Sequence, residues 1–270
     1  MDKTGKMIII GGREDKDGRR QILARVAEEA GGRDGSLLII TTATHSPQET
    51  GAVYRRIFSD LGIDRVEVLN IDGREYADSH DVQEKIRSAT GIFFTGGDQL
   101  RITSILGGSR AGTSMKSALK RGTLLAGTSA GASVMSETMI IGGIEEGPPG
   151  KGTVQLAPGL GFLEGVVIDQ HFAQRGRIGR LISAVAQNPK IIGIGIDEDT
   201  AIIMGGQKSF KVLGKSTVTI VDGRNITYSN ISELEADQPL TLAGVTLHSL
   251  SDDYGYDLNL RQVIYKEGNQ

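Results

Sequence analysis

Short, mostly apolar runs alternate with longer amphipathic segments through the first three quarters of the chain. The runs are residues 7–10, 36–41, 66–71, 91–94, 124–126, 166–169 and 191–196. A strand that is apolar throughout is buried on both faces, and strands that alternate with helices pair in parallel. The alternation therefore predicts an α/β fold in which a mostly parallel sheet lies between helices.

The segments between these runs have the spacing of amphipathic helices. Ile178, Leu181, Ile182 and Val185 repeat at i, i+3, i+4 and i+7, which places them on one helical face. The predicted helices are residues 18–30, 48–61, 82–88, 99–106, 114–120 and 176–186.

The last third of the chain is rich in short β segments separated by glycine turns. We expect antiparallel strands here, a β-rich C-terminal extension that lengthens the sheet or covers one edge. These strands are residues 201–204, 209–212, 217–221 and 240–247. No Pro- or Ser-rich linker separates this part, so we expect a single domain over residues 1–270. Residues 145–152 (EEGPPGKG) are expected to form a mobile loop.

Charge balance and cysteine content exclude several kinds of function. Lys and Arg number 30 against 33 Asp and Glu, a net charge of −3, which leaves no large basic face for nucleic acid or an anionic membrane. With no cysteine, the chain has no disulfide, thiolate metal site or cysteine nucleophile. No apolar stretch approaches the ~20 residues of a membrane span or the ~7–15 of a secretory leader, so we expect a cytoplasmic protein.

Residues 127–131 (GTSAG) form a G-x-S-x-G motif between an apolar strand and small residues that can open a helix. This is the context of a nucleophile elbow, in which a sharp turn exposes the serine, here Ser129. The N–H of Ala130 would then point at a developing oxyanion. The alternative is a glycine-rich turn, either purely structural or cradling a phosphate at a helix N-terminus.

A nucleophilic serine needs a base, and four histidines are available. His171 is the best candidate because it follows a predicted strand directly. His45 also follows a strand. We expect His80 to lie at a solvated helix start, and His248 to have a structural role in a β segment.

A catalytic histidine is held in place by an acid, and Asp197, Glu198 and Asp199 follow another predicted strand. Strand alternation places Glu198 opposite its neighbours, but the sequence alone does not choose among the three. A solvated acidic turn or a cation site are the alternatives. No spaced His or carboxylate partner supports a metal site.

Two further groups of residues follow strands or lie next to the candidate base. In residues 95–99 (TGGDQ), the glycine amides are candidates for a second oxyanion donor, and Asp98 can cap a helix. Arg175, Arg177 and Arg180 follow His171, and guanidinium groups there suggest a substrate with acidic groups. The alternative for the arginines is a solvated helix face.

Together these segments resemble the cyanophycinase family, serine peptidases related to the aspartyl dipeptidases. The resemblance extends to about residue 223 and depends on five motifs in order. They are IIIGGREDK (8–16), GIFFTGGDQLR (91–101), LAGTSAGASVM (125–135), VVIDQHFAQRGRIGRL (166–181) and GIGIDEDTA (193–201). It implies a flavodoxin-like three-layer sandwich, related to class I glutamine amidotransferases, with serine in place of cysteine.

The resemblance also assigns roles to residues. It implies Ser129 as nucleophile, His171 as base and Glu198 as the acid, with the oxyanion hole at Gly97 and Ala130. The substrate-binding positions it implies are Gln99, Asp169, Gln170, Arg175, Arg177 and Arg180. It further implies a homodimer with no cofactor and no metal.

The substrate implied by the resemblance is cyanophycin, a poly-aspartate with arginine on each β-carboxylate, which family enzymes cut to β-Asp-Arg. An α-aspartyl dipeptidase with the same catalytic residues is the alternative enzyme. A non-catalytic nucleotide-binding α/β module is the alternative from another class. It requires a G-x-G-x-x-G spacing that neither glycine run, 11–12 or 127–131, has.

Overall fold

The computed structural model describes residues 4–205, 208–236 and 238–266. The α-helices are α1 (Gln21–Glu29), α2 (Pro47–Asp60), α3 (Arg74–Ala77), α4 (His80–Ser88), α5 (Gln99–Leu106), α6 (Arg110–Lys120), α7 (Ala130–Ser133) and α8 (Ile178–Gln187). Short 3₁₀ helices span Gly32–Asp34 and Ala173–Arg175.

The strands up to residue 196 are β1 (Met7–Ile10), β2 (Ser36–Ile40), β3 (Arg65–Leu69), β4 (Gly91–Phe94), β5 (Leu124–Thr128), β6 (Thr138–Gly143), β7 (Val154–Pro158), β8 (Val166–Gln170) and β9 (Ile192–Ile196). The strands of the last third are β10 (Thr200–Met204), β11 (Ser209–Gly214), β12 (Val218–Asp222), β13 (Tyr228–Ser229), β14 (Leu242–Ala243), β15 (Thr246–Leu250), β16 (Gly255–Asp257) and β17 (Gln262–Ile264).

A nine-stranded sheet forms the centre of the molecule, in the order β17-β16-β11-β10-β1-β5-β4-β2-β3. The five strands from β1 to β3 in this order are parallel. The other four are added antiparallel, with β10 paired to β1. The fold is thus mixed α/β around a large sheet whose central part is parallel.

A second, four-stranded sheet has the order β15-β12-β9-β8. The expectation that β8 and β9 belong to the central parallel sheet was wrong. They pair in parallel with each other, but β10 occupies the remaining edge of β1, and β9 pairs instead with β12. Gly193 and Gly195 let α8 and Phe172 lie close against β9, because a Cβ at either position would come within 3.0 Å of their side chains.

Apolar side chains on the two faces of the central sheet pack against different helices. Ile8 and Ile10 of β1 face α1 and α2, where Tyr54, Phe58 and Phe93 form a cluster of rings. Alternate β1 residues face α4–α6 and the second sheet. This two-sided burial accounts for the wholly apolar strands.

Side-chain caps account for the earlier starts of two helices. Side-chain caps by Ser79, Asp98 and Ser109 begin α4, α5 and α6, so α4 and α6 start earlier than apolar spacing alone indicated. The β6–β7 hairpin was not predicted, and residues 145–152 lie in its connecting segment. Within the described ranges, no helix has the length and apolar character to cross a membrane.

Candidate active site

Ser129 occupies a sharp turn between β5 and α7. Its backbone has φ 54° and ψ −115°, an unfavourable conformation for a residue with a Cβ, and its N–H donates to the Ile10 carbonyl at 3.1 Å. Such conformations cost about 1–3 kcal/mol and mark functional sites. The flanking glycines are required, because a Cβ on Gly127 or Gly131 would lie 2.4 or 2.5 Å from a backbone oxygen.

His171 lies against this serine, with 3.0 Å between Ser129 Oγ and His171 Nε2. The histidine follows β8, has φ 49° and donates its backbone N–H to the Gly11 carbonyl at 2.7 Å. Gly12 packs on the imidazole so closely that a Cβ there would lie 2.3 Å from Cε1. The loop after β1 therefore fixes the position of the ring.

Glu198 contacts the other ring nitrogen, with 2.7 Å between its Oε1 and His171 Nδ1. The two neighbouring acids have other partners. Asp197 accepts hydrogen bonds from the N–H of Ala173 and from the hydroxyl of Ser216. Asp199 accepts the N–H of Asp15 and pairs with an exposed lysine. Of the three acids between which the sequence could not choose, Glu198 is the one that contacts His171.

Burial lowers the pKa of His171 below its ordinary value of 6.5. The hydrogen bond that His171 donates to Glu198 opposes this shift, and the positive charge of Arg175 adds to it. The imidazole is consequently neutral at neutral pH, with Nε2 able to accept the proton of Ser129 Oγ and Nδ1–H donating to Glu198.

The glycine loop after β4 lies beside Ser129. A Cβ on Gly96 would lie 3.3 Å from Ser129 Cβ, and one on Gly97 (φ 143°) would lie 2.1 Å from the Ala43 carbonyl oxygen. Among the hydrogen bonds of the described residues, the N–H groups of Gly97 and Ala130 have no acceptor. Both donors are therefore available to a substrate oxygen.

The two glutamines predicted to bind substrate have different surroundings. Gln170 Oε1 lies 3.5 Å from Ser129 Oγ, so Gln170 lines the site. Gln99, at the start of α5, donates to the carbonyl of Ile140 at 3.1 Å and thereby holds β6. Asp98 caps the N-terminus of α5, as predicted from the sequence.

Asp169, Arg177 and Arg180 form a buried charge cluster beneath the site. Asp169 is fully buried, and Arg180 binds both its oxygens, at 2.6 and 2.5 Å. Arg177 reaches Asp169 at 3.4 Å and donates to the Gln170 carbonyl at 2.5 Å. Of the three arginines that follow His171, only Arg175 is exposed, so a solvated helix face describes Arg175 alone. The two buried arginines hold β8 and Gln170 in place.

Glu145 is a residue near the site that the sequence did not single out. It lies just after β6 and pairs with Arg177 and, at 3.6 Å, with Arg175. These guanidinium groups hold the pKa of Glu145 below its usual value. Its only signal in the sequence was its place in the predicted mobile loop, and that mobility stays a prediction.

We expect Asp169→Asn to lower the free energy of unfolding by about 3 kcal/mol, because it leaves two buried guanidinium groups without their charge partner. Urea unfolding followed by circular dichroism measures the change. Asp253→Asn is the control, since Asp253 forms a surface pair with Lys266, and should cost less than about 1 kcal/mol. Equal costs for the two variants would contradict the structural role of the cluster.

Among the described residues, none of the other three histidines is hydrogen-bonded to Ser129. His80 is exposed at the first turn of α4, and His248 in β15 packs its ring against Tyr256. His45 is exposed in a surface cleft that also contains Asp98 and Arg101. No group of three His, Cys, Asp or Glu side chains in the described part of the chain has a geometry that could hold a metal ion.

A serine hydroxyl, an imidazole and a carboxylate in hydrogen-bonded sequence, beside two free amides, form the arrangement used by serine hydrolases. Comparison with known proteins agrees with this class. The sequence profile of Peptidase family S51 matches residues 7–213, and the chain belongs to this family of serine-type peptidases.

Within this family, the chain is similar to cyanophycinases. The chain is 39% identical to a cyanophycinase of Synechococcus elongatus over 97% of its length and 82% of the relative's. It is 42% identical to one of Trichormus variabilis, over 95% and 86%. In fold it resembles a peptidase from an acI-B1 Actinobacterium, with a TM-score of 0.64, 23% identity and coverage of 92% and 97%.

Proposed function

We propose that this protein is a serine exopeptidase that hydrolyses cyanophycin to β-Asp-Arg dipeptides through an acyl-enzyme on Ser129. The observation that carries the proposal is the chain of contacts from Ser129 to His171 (3.0 Å) and from His171 to Glu198 (2.7 Å). It occurs in a chain about 40% identical to cyanophycinases over nearly its whole length.

In the first half of the proposed reaction, His171 Nε2 takes the proton of Ser129 Oγ while the oxygen attacks an aspartyl carbonyl carbon. The tetrahedral oxyanion accepts hydrogen bonds from the N–H groups of Gly97 and Ala130, each worth ~3 kcal/mol of barrier. The imidazolium, stabilised by Glu198, then protonates the leaving amine as the C–N bond breaks.

In the second half, a water molecule gives its proton to His171 and attacks the acyl carbon. The second tetrahedral oxyanion uses the same two amides, and collapse returns the proton to Ser129 Oγ as the ester bond breaks. Every proton transfer in this scheme passes through His171 Nε2, which lies 3.0 Å from Ser129 Oγ in the free protein.

Charged groups around the site favour a substrate that carries both carboxylate and guanidinium groups. Arg175 is exposed near the site and can meet a carboxylate, while the half-exposed Glu145 can meet a guanidinium. Gln170, held by Arg177, adds an amide beside Ser129. A peptide without these charges would make fewer charged contacts with Arg175 and Glu145, and we expect it to bind more weakly than cyanophycin.

Three substrates test the proposal against its closest alternative. Purified enzyme is incubated with cyanophycin, with α-Asp-X dipeptides and with casein, and the products are identified by mass spectrometry. We expect β-Asp-Arg from cyanophycin and little cleavage of casein. Faster cleavage of α-Asp-X dipeptides than of cyanophycin would identify an α-aspartyl dipeptidase instead. Nucleotide bound after purification, without any hydrolysis, would indicate the binding module.

The pH dependence of kcat/KM should reflect the protonation of His171. The base acts when neutral, so activity rises as the proton leaves, and the lowered pKa puts this acid limb below about pH 6.5. Arg175→Gln removes a positive charge that lowers this pKa, and should move the limb to higher pH, whereas Arg121→Gln on the surface should not. An acid limb above pH 7 in the wild type would contradict a neutral, buried base.

The proposal also covers the fold type, the oligomeric state, the number of domains and the cellular location. In chain order the parallel strands read 3-2-4-5-1, which equals the flavodoxin-like order 2-1-3-4-5 only when β1 is counted last, so the flavodoxin-like sandwich with β10–β17 as an extension stays a prediction. A homodimer, a single domain over residues 1–270 and a cytoplasmic location stay predictions. Light scattering after size-exclusion chromatography tests the first.

A further inference from the structure

A buried carboxylate that the proposed chemistry does not use lies directly behind the serine turn. The side chain of Glu14 is 1% exposed. Its Oε2 accepts the hydroxyl of Thr128 at 2.6 Å, and its Oε1 accepts the hydroxyl of Tyr54 at 2.5 Å and pairs with Lys16 at 2.9 Å. Three donors thus converge on one carboxylate in the interior.

Thr128 is the residue immediately before Ser129 and the last of β5. Its hydroxyl ties the end of this strand to Glu14, just where the backbone enters the positive-φ conformation of Ser129. A strained residue persists only where its surroundings fix it from more than one side. The Ile10 carbonyl fixes the N–H of Ser129, and the bond to Glu14 fixes the preceding side chain.

Glu14 belongs to the loop after β1, residues 11–15, which we call the β1 loop. This loop also contacts the other two members of the catalytic chain. Gly11 accepts the backbone N–H of His171, Gly12 packs on the imidazole, and the Gly12 carbonyl accepts the N–H of Asp199, next to Glu198, at 2.9 Å. Through Glu14 the same loop reaches the serine turn.

We propose that Glu14 is a positioning residue for catalysis, which ties the β1 loop to Thr128 and so sets Ser129 Oγ at reacting distance from His171. The inference rests on the proposed role of Ser129. A buried carboxylate is costly unless it is fully hydrogen-bonded, and a fully bonded network admits few alternative geometries. Burial and the charge of Glu14 raise the pKa of Tyr54, which keeps that hydroxyl a donor.

Thr128→Val tests this role, because it keeps the shape of the side chain and removes only the donor to Glu14. Misplacement of reacting groups by ~1 Å costs about 10²-fold. We expect kcat on cyanophycin to fall at least about tenfold with KM within about twofold, and the rate of Ser129 labelling by a fluorophosphonate to fall in parallel. Thr128→Ser keeps the hydroxyl donor, so its kcat and its rate of labelling should both be close to those of the wild type.

Thr123→Val is the matched control. Thr123 is also buried, lies just before β5 and donates its hydroxyl to the Ala89 carbonyl at 3.3 Å, but it has no contact with Glu14. Glu14→Gln should slow labelling as Thr128→Val does, and the double variant should be no slower than either single one. Wild-type kcat and labelling in Thr128→Val, or equal losses in Thr123→Val and Thr128→Val, would overturn the proposal.

The readouts separate this inference from the proposed function. If Ser129→Ala kept its activity, the assignment of Ser129 would fail and the positioning role with it. If Ser129→Ala were inactive while Thr128→Val turned over normally, only the role of Glu14 would fail. Should Glu14→Gln not fold, Thr128→Val and Tyr54→Phe give the same comparison, since each removes one donor and leaves the carboxylate in place.

Discussion

Ser129→Ala is expected to reduce the release of β-Asp-Arg from cyanophycin by about 10⁴- to 10⁶-fold. Without the hydroxyl no acyl-enzyme can form, and the free amides of Gly97 and Ala130 can only stabilise a slow attack by water. The cavity left is small, so the fold and the binding of the polymer should persist. Dipeptide release measured by mass spectrometry gives the rate, and co-sedimentation with insoluble cyanophycin gives binding.

Ser133→Ala provides the control for this variant. Ser133 lies in the same short helix, α7, and is buried, but it makes no contact with His171. It should keep activity within a few fold of the wild type and should still be labelled by a fluorophosphonate. Turnover by Ser129→Ala at near the wild-type rate would remove the proposed mechanism, whatever the substrate.

Glu198→Gln is expected to lower kcat by about 10³- to 10⁴-fold with little change in KM. The amide can offer an N–H to Nδ1, which favours the tautomer with its proton on Nε2 and thus a histidine that cannot accept from Ser129. It also cannot stabilise the imidazolium. Steady-state rates on cyanophycin, with thermal unfolding to verify the fold, measure the effect.

Asp199→Asn separates this effect from a general loss of negative charge in the same turn. Asp199 is adjacent to Glu198, but its carboxylate accepts the N–H of Asp15 and pairs with Lys215 rather than His171. We expect less than about a tenfold loss. A larger loss in Asp199→Asn than in Glu198→Gln would mean that the wrong acid has been assigned to the histidine.

Local patterns in the sequence were enough to predict the serine turn and the position of His171. Both interpretations of G-x-S-x-G after an apolar strand, the nucleophile elbow and the glycine-rich turn, predict a turn there, and the structure has one at Ser129. The choice of Glu198 needed the family resemblance. The turn holding the acids contains Asp199 with φ 49°, a bend that strand alternation does not anticipate.

The partners of buried polar side chains could not be predicted from the sequence. One interpretation of Arg177 and Arg180 was a solvated helix face, which is wrong because both are buried against Asp169, on the strand before them. Their role in substrate binding stays a prediction. Glu14 lay within a family motif, but nothing local indicated that Tyr54 and Thr128 would meet it. A buried polar network is set by the tertiary packing of several elements, and no periodicity encodes it.

The proposed nucleophile and its base come from different sheets, since Ser129 follows a strand of the central sheet whereas His171 and Glu198 follow strands of the smaller one. The distance between Ser129 and His171 is therefore set by how the nine-stranded sheet and the four-stranded sheet pack against each other. The turnover rate therefore depends on the relative position of the two sheets. A mutation far from Ser129 that shifts one sheet relative to the other would abolish activity even though each sheet remains folded.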